Sequence, residues 1–381
     1  MNQEGCCRLL PGMRDYLPGE AAQRRRLCQI LADLFRRWAY NEVITPSLEL
    51  SEVFAEEGRR LFQLIDQGEL VVLRPEMTAA VARVVATYYR DAAGPLRFFY
   101  IGNVFRQEPA QAGRLREFGQ AGVELLGVRN SWADAEVIAL AIEAVREAGV
   151  QDFRIGMGQV QVTLGLLHEL EPDPEVEEAL KQALVARDYV ALEEVAARYG
   201  LARELETLVG LRGGKEVLPR AAALSSLPEV ALGLQGLSEV WEALEAAGLT
   251  DYLFLDLSLL RDFNYYTGIV FEGYVAGLGF PICGGGRYDQ LLRRYGLDLP
   301  ATGFALGLER LLAATEGQNP GGSTAGPSVL VAGRRLDLVL SRAQELRREG
   351  QVVEMDLEHH SRADAKAYAA AKGIPVVEWM D

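Results

Sequence analysis

The chain has 381 residues, 49% of them apolar and 24% charged, a mixture that excludes wholesale disorder and a fibrous repeat. At roughly 150 residues per domain it provides for two to three domains with a sizeable core. Its formal charge of −15, from 39 basic and 54 acidic side chains, argues against general adhesion to nucleic acid or anionic membrane while leaving room for a local basic groove.

The N-terminus has no uninterrupted apolar segment of signal-peptide type, since Arg14 and Asp15 fall early and Arg24, Arg25 and Arg26 follow. From residue 20 to residue 38 the stripe of Leu27, Ile30, Leu31, Leu34, Phe35 and Trp38 predicts an amphipathic helix. Residues 95–129 read as strand, charged loop, strand, with a loop that is unusually basic for an acidic chain. A helix is expected over 134–148 and a strand over 153–164, so that His168 lies near the end of a strand-like segment. Residues 171–248, rich in Ala, Leu and Glu, read as a helical insertion without a chemical motif. Within it the least charged stretch, 221–238, is interrupted by Ser225, Ser226, Pro228, Glu229 and Gln235 and is too polar to span a bilayer; a cytoplasmic address is expected.

Strands are expected again at 252–260, 265–275 and 278–285, followed by a helix-like segment over 304–315. Strands in hairpin-like succession with helices at their ends predict an α+β core on an antiparallel sheet. Gly, Pro, Ser and Thr then mark 317–328 as a linker. Beyond it, 329–381 alternates strand, helix, strand, helix, strand, a small parallel α/β unit whose second helix is opened by Ser361. Cys6, Cys7, Cys28 and Cys283 lack metal or disulfide spacing, and His168, His359 and His360 add no ligand pattern, so no metal is expected.

Two segments combine residues that packing leaves unexplained. In 105–124, Arg106, Glu108, Arg114, Arg116, Gln120 and Glu124 would suit a phosphate or carboxylate, because guanidinium offers a bidentate fork; an exposed hairpin laced with ion pairs fits the same residue types. In 261–288, Gly284, Gly285 and Gly286 allow close approach of backbone and ligand, and Tyr265, Tyr266 and Tyr288 offer rings and hydroxyls; the glycines fit a bulge or turn equally well.

These segments carry a family resemblance. PGMRDYLP at 11–18, LRPEMT at 73–78, FRQEP and GRLREFGQ within 105–120, RDFNYYTGIVFE at 261–272, GGGRYD at 284–289 and GFALGLERL at 303–311 resemble histidyl-tRNA synthetase, a class II aminoacyl-tRNA synthetase. The resemblance implies a class II antiparallel sheet flanked by helices over 1–316 and a homodimer formed through the region around Pro46. The tail is similar to the first part of the family's anticodon-binding domain, truncated at Asp381. It further implies that Glu76, Thr78 and Gln120 would hold the α-amino group of histidine and that Glu124 and Tyr266, with Tyr265 and Tyr288 nearby, would meet the imidazole. Arg261 would face the carboxylate. Arg106, Glu108, Arg116 and Arg310 would be remnants of an ATP site.

Several positions depart from the synthetase pattern. Met77 replaces a glycine beside the amino-acid pocket, Asp262 and Asn264 replace glycine and aspartate and put a carboxylate next to Arg261, Pro109 and Ala110 replace an Arg-Pro pair, and Gly119 replaces a common histidine. With these changes the chain is most similar to the synthetase paralogues that serve as regulatory subunits of ATP phosphoribosyltransferase. That resemblance implies a non-catalytic subunit without a cofactor, partnered with a short-form catalytic ATP phosphoribosyltransferase and with itself, and with histidine as effector; tRNA is not an expected partner. The alternative is a catalytically competent histidyl-tRNA synthetase, since Arg106, Arg261 and Arg310 all remain; a third reading is a synthetase-like sensor module with another partner.

Overall fold

Apolar side chains at helical spacing fold the first long segment into α1 (Pro18–Arg37), whose Leu27, Leu31, Leu34 and Phe35 are buried, at roughly 1.5–3 kcal/mol for each side chain. The structure, a computed structural model, describes residues 7–54, 61–107, 115–170, 172–261, 265–315, 326–358 and 361–381. The chain divides into two units, Arg24–Gln318 with Met1–Asp15, and Asn319–Asp381 with Tyr16–Gln23.

In the first unit α1, from Arg24 onward, leads into β1 (Asn41–Glu42), β2 (Leu48–Leu50), β3 (Gln63–Asp66), β4 (Glu69–Leu73) and α2 (Thr78–Tyr88). The long pair β5 (Leu96–Phe105) and β6 (Glu117–Leu126) follows, then α3 (Ser131–Glu147), β7 (Phe153–Gln159) and α4 (Val160–His168). The middle of the chain holds α5 (Pro174–Ala186), α6 (Tyr189–Tyr199), α7 (Ala202–Val209), β8 (Arg212–Gly213), α8 (Val217–Ala222) and α9 (Pro228–Ala246). The unit closes with β9 (Leu253–Asp256), β10 (Ile269–Val275), β11 (Cys283–Arg287), β12 (Ala301–Gly307) and α10 (Leu308–Thr315).

Nine of these strands form one sheet in the order β1-β5-β6-β12-β11-β10-β7-β9-β8. All neighbours run antiparallel except β1 with β5 and β7 with β9. One face of the sheet packs on α1, α3, α4 and α9, where Phe35 meets Phe99 at 5.6 Å and Phe304 edge-on at 6.1 Å. Burial of one face by helices leaves the other to build a site. β2, β4 and β3 form a separate antiparallel sheet of three strands.

Four expectations are corrected here. The strand expected over 153–164 ends at Gln159, because that side chain accepts from the N–H of Val162 at 3.0 Å and caps α4; His168 is thus the exposed last residue of a helix. The helix-like segment 304–315 begins as β12 and turns helical only at Leu308, since its first four residues pair with β6 and β11. The third late strand is displaced from 278–285 to Cys283–Arg287, so the three glycines lie inside a buried strand. The segment 171–248 also contains β8, which pairs with β9 at the sheet edge, and α9, whose Val230, Leu234, Leu237 and Trp241 belong to the main core.

In the second unit β13 (Val329–Gly333), α11 (Leu336–Arg348), β14 (Val353–Met355), α12 (Arg362–Lys372) and β15 (Val376–Met380) form a three-stranded parallel sheet, ordered β14-β13-β15. Val339, Ala343 and Leu346 of α11 cover one face, and Ala365 and Ala369 of α12 cover the other. Ser361 accepts from the N–H of Asp364 and caps α12. Most of the expected linker, like Glu108, Pro109, Ala110, Arg114, Asp262, Asn264, His359 and His360, lies outside the described residues.

Candidate functional site

Side chains alternate across a strand, so every second residue of the central strands faces the side of the sheet opposite the main helices. On that side β6 places Gln120 and Glu124, β5 places Tyr100 opposite Gly122, β12 places Gly303, Ala305 and Gly307, β11 places Gly284, and β10 places Glu272 opposite Gly284. The small residues keep the floor of a cavity of about 180 Å³ clear. That is below the roughly 300–1,000 Å³ of a drug-sized site and suits one small metabolite. The glycines fit their neighbours closely: a Cβ on Gly303 would fall on the carboxylate of Glu124, and one on Gly284 on the guanidinium of Arg261.

All eight residues implied for histidine, Glu76, Thr78, Gln120, Glu124, Arg261, Tyr265, Tyr266 and Tyr288, line this one cavity, together with Arg106 and Arg310. Glu124 lies at its centre, 1% exposed. One of its oxygens accepts from the Thr78 hydroxyl at 2.7 Å and the other from the Tyr288 hydroxyl. Burial pushes its carboxyl up to about 8, against the pull of the Tyr288 and Thr78 hydroxyls. Tyr265 packs on Tyr266 at 5.0 Å and edge-on to Tyr288 at 5.7 Å, so an aromatic wall stands beside the carboxyl. Burial likewise pushes the phenols of Tyr100, Tyr266 and Tyr288 above their usual range, which keeps them neutral donors.

Two buried polar atoms on the cavity wall lack a hydrogen-bond partner among the described residues: the acceptor Gln120 Oε1 and the donor Arg261 Nε. An unmet buried acceptor and an unmet buried donor each cost roughly 1–3 kcal/mol, which a ligand bearing both an ammonium and a carboxylate would recover. Glu76 also faces the cavity, but its oxygens accept from the N–H groups of Thr78 and Ala79 at 2.5 and 2.7 Å and so fix the start of α2. Arg74, 5% exposed, bolts the preceding turn down by donating to the carbonyls of Thr45, Pro46 and Asn103.

The residues implied for ATP separate. Arg106 donates to the Pro75 carbonyl at 3.0 Å and lies over Phe118, and Arg310 donates to the Pro281 carbonyl at 2.7 Å and lies over Phe280; both still face the cavity. Arg116 does not line it. Its backbone N–H donates to the Gly12 carbonyl, and its guanidinium lies over Phe62, 4.5 Å from the ring centre, so the N-terminal turn and Phe62 hold it elsewhere. Met77 is 2% exposed yet does not line the cavity; it packs behind it with Val81, Tyr100 and Tyr265. Glu108 lies outside the described residues.

Among the cavity-lining residues that sequence reasoning missed are Tyr100, Glu272 and Val185. Tyr100 is hidden in the apolar run RFFYIGNVF, where its hydroxyl gives no signal. Glu272 receives Arg261 at 3.0 Å, Arg187 at 2.7 Å and the Tyr274 hydroxyl at 2.6 Å; its place at even spacing in TGIVFE was legible, its partners were not. Val185 reaches the cavity from α5, inside the segment expected to be inert. Among the described residues there is no group of three or more His, Cys, Asp or Glu placed to hold a metal, and no helix is long and apolar enough to cross a membrane.

Comparison with known proteins bears on the family and the fold. A histidyl-tRNA synthetase family profile matches residues 12–311. The ATP phosphoribosyltransferase regulatory subunit of Moorella thermoacetica is 52% identical over 380 residues, 97% of either chain. A solved ATP phosphoribosyltransferase regulatory subunit/histidyl-tRNA synthetase from Bacillus halodurans superposes with a TM-score of 0.85 at 33% identity, over 98% of each chain. A histidyl-tRNA synthetase from Nostoc shares the fold, with a TM-score of 0.79 at 22% identity over 97% of this chain and 90% of its own.

Proposed function

Since the chain belongs to the histidyl-tRNA synthetase family, and within it to the ATP phosphoribosyltransferase regulatory subunits, we propose that it acts without catalysing a reaction of its own, by assembling with a short-form catalytic ATP phosphoribosyltransferase in the first step of histidine biosynthesis. L-Histidine is the effector and binds in the glycine-floored cavity. The observation that carries this reading is the convergence of an unmet acceptor at Gln120, an unmet donor at Arg261 and the buried carboxyl of Glu124 within one small cavity. An ammonium answers the first, a carboxylate the second, and an imidazole N–H the third.

Histidine acts by binding one state of the assembly more tightly than another, because equal affinity would shift nothing. A homodimer through the β2-β4-β3 sheet belongs to the same reading. That sheet leaves Leu48, Leu50, Leu64, Ile65 and Leu70 exposed, and Ile44 beside it is 84% exposed. The cytoplasm is the compartment this function requires.

The test pairs two measurements on the purified chain. Addition to a short-form catalytic subunit should raise phosphoribosyl transfer and make it sensitive to histidine, while histidine-dependent ATP/pyrophosphate exchange and tRNA charging should be absent. Robust charging would overturn the regulatory reading in favour of a synthetase, for which Arg106 and Arg310 on the cavity wall are the supporting observation.

A further inference from the structure

Behind the carboxylate end of the cavity lies a charge relay that reaches into the helical middle of the chain. Arg261 meets Oε1 of Glu272 at 3.0 Å. The other oxygen of Glu272 receives Arg187 Nη2 at 2.7 Å and the Tyr274 hydroxyl at 2.6 Å. Arg187 also lies over the ring of Tyr274, 5.1 Å from its centre. The side chains of Glu272 and Arg261 are 11% and 15% exposed and that of Arg187 is 31% exposed, so the inner pair is shielded from bulk water and its charges act over longer range than surface ions do, while Arg187 meets it from the solvent side.

Two guanidinium groups thus share one carboxylate. Were Glu272 paired with Arg261 alone, the pair would be neutral, and a ligand carboxylate would meet a dipole next to a like charge. With Arg187 present the cluster carries one unbalanced positive charge, which an incoming carboxylate at Arg261 completes to two positive and two negative groups. We propose that Arg187 is a positioning and specificity residue for the ligand's carboxylate, acting through Glu272 on Arg261, and that it ties occupancy of the cavity to the end of α5. Arg187 sits one residue past α5 in a left-handed conformation at φ 55°, its N–H bonded to Leu184, while Val185 of the same turn lines the cavity. A shift of the relay on binding therefore acts on a backbone turn that is already constrained at both sides.

This inference rests on the reading of the cavity as a histidine site, and the experiment separates the two. Calorimetry on the full chain would compare L-histidine with L-histidinol, which keeps the imidazole and ammonium and replaces the carboxylate by a hydroxymethyl group. Arg187→Met is expected to weaken histidine about tenfold while leaving histidinol unchanged, and Arg187→Lys to keep most of the preference for histidine. Equal weakening of both ligands, or no weakening of histidine, would overturn the relay while leaving the site in place. If the unaltered chain binds neither ligand, the site reading falls and the relay with it.

Discussion

At the scale of single residues the site is governed by Glu124. Its carboxyl titrates at about 8 in the folded chain against about 4.5 for a free side chain, so folding favours its protonated form. That contribution is complete below the unfolded value and is lost as pH rises through about 8. Glu124→Gln has nothing to ionise and should therefore gain on the parent chain by on the order of 2 kcal/mol between pH 6 and pH 9, read from urea unfolding at both values. The same substitution should abolish measurable histidine binding. Binding has its own pH signature. With the imidazole near 6.5 and Glu124 at about 8, one proton is shared by the bound pair, and none is exchanged with solvent between those values. Histidine affinity should be flat from about pH 6.5 to 8 and fall about tenfold per pH step on either side; a slope within the plateau would place the imidazole away from Glu124. Most of these residues were legible because Arg, Glu and Tyr stand out in apolar or glycine-rich surroundings. Glycine at 119 was noticed as a departure, but not that its N–H would donate to Glu309 at 2.8 Å while Arg24 bridges Glu309 and Asn103 beside it.

Among the elements, β11 does more than leave space. Its last residue, Arg287, is 7% exposed and donates to Asp134 at the start of α3, to the carbonyls of Val128 and Asn130, and to Asp289. Burial pushes the Asp134 carboxyl up to about 6, with Arg287 pulling against it. Arg287→Met should cost about 3 kcal/mol in urea unfolding at pH 8, because a buried carboxyl loses its partner. The deficit should shrink below pH 6, where Asp134 is protonated in both chains; an equal deficit at both pH values would mean that the loss is one of packing. The elements themselves were read well where a stripe or a cap marked them, as in α1 and α12. They were misread where the period changed without a break. Gln159 ends β7 and caps α4 in one residue, and Gly307 ends β12 directly against α10, so a continuous apolar run concealed the switch from strand to helix.

For the whole molecule, the antiparallel plan was legible from strands in succession, but the order of the strands was not. Nothing in the apolar pattern of β6 says that it will lie between β5 and β12, since pairing depends on chain paths rather than on composition. The exposed sheet β2-β4-β3 gives the proposed dimer a test: Ile65→Glu, on a residue 77% exposed, should shift the chain to monomer mass in sedimentation equilibrium at micromolar concentration. A parent chain that is itself monomeric, or a variant that stays dimeric, would remove this sheet as the interface. The strand order also bears on how the chain is made. Leu126 at the end of β6 pairs with Ala301 at the start of β12, so roughly 175 residues must leave the ribosome before that edge is covered. At about 5–20 residues per second the nascent chain carries an open strand edge for on the order of ten to thirty-five seconds. The floor of the cavity is therefore absent until β12 has emerged, and a ligand of this cavity can reward only the assembled sheet, never the growing one.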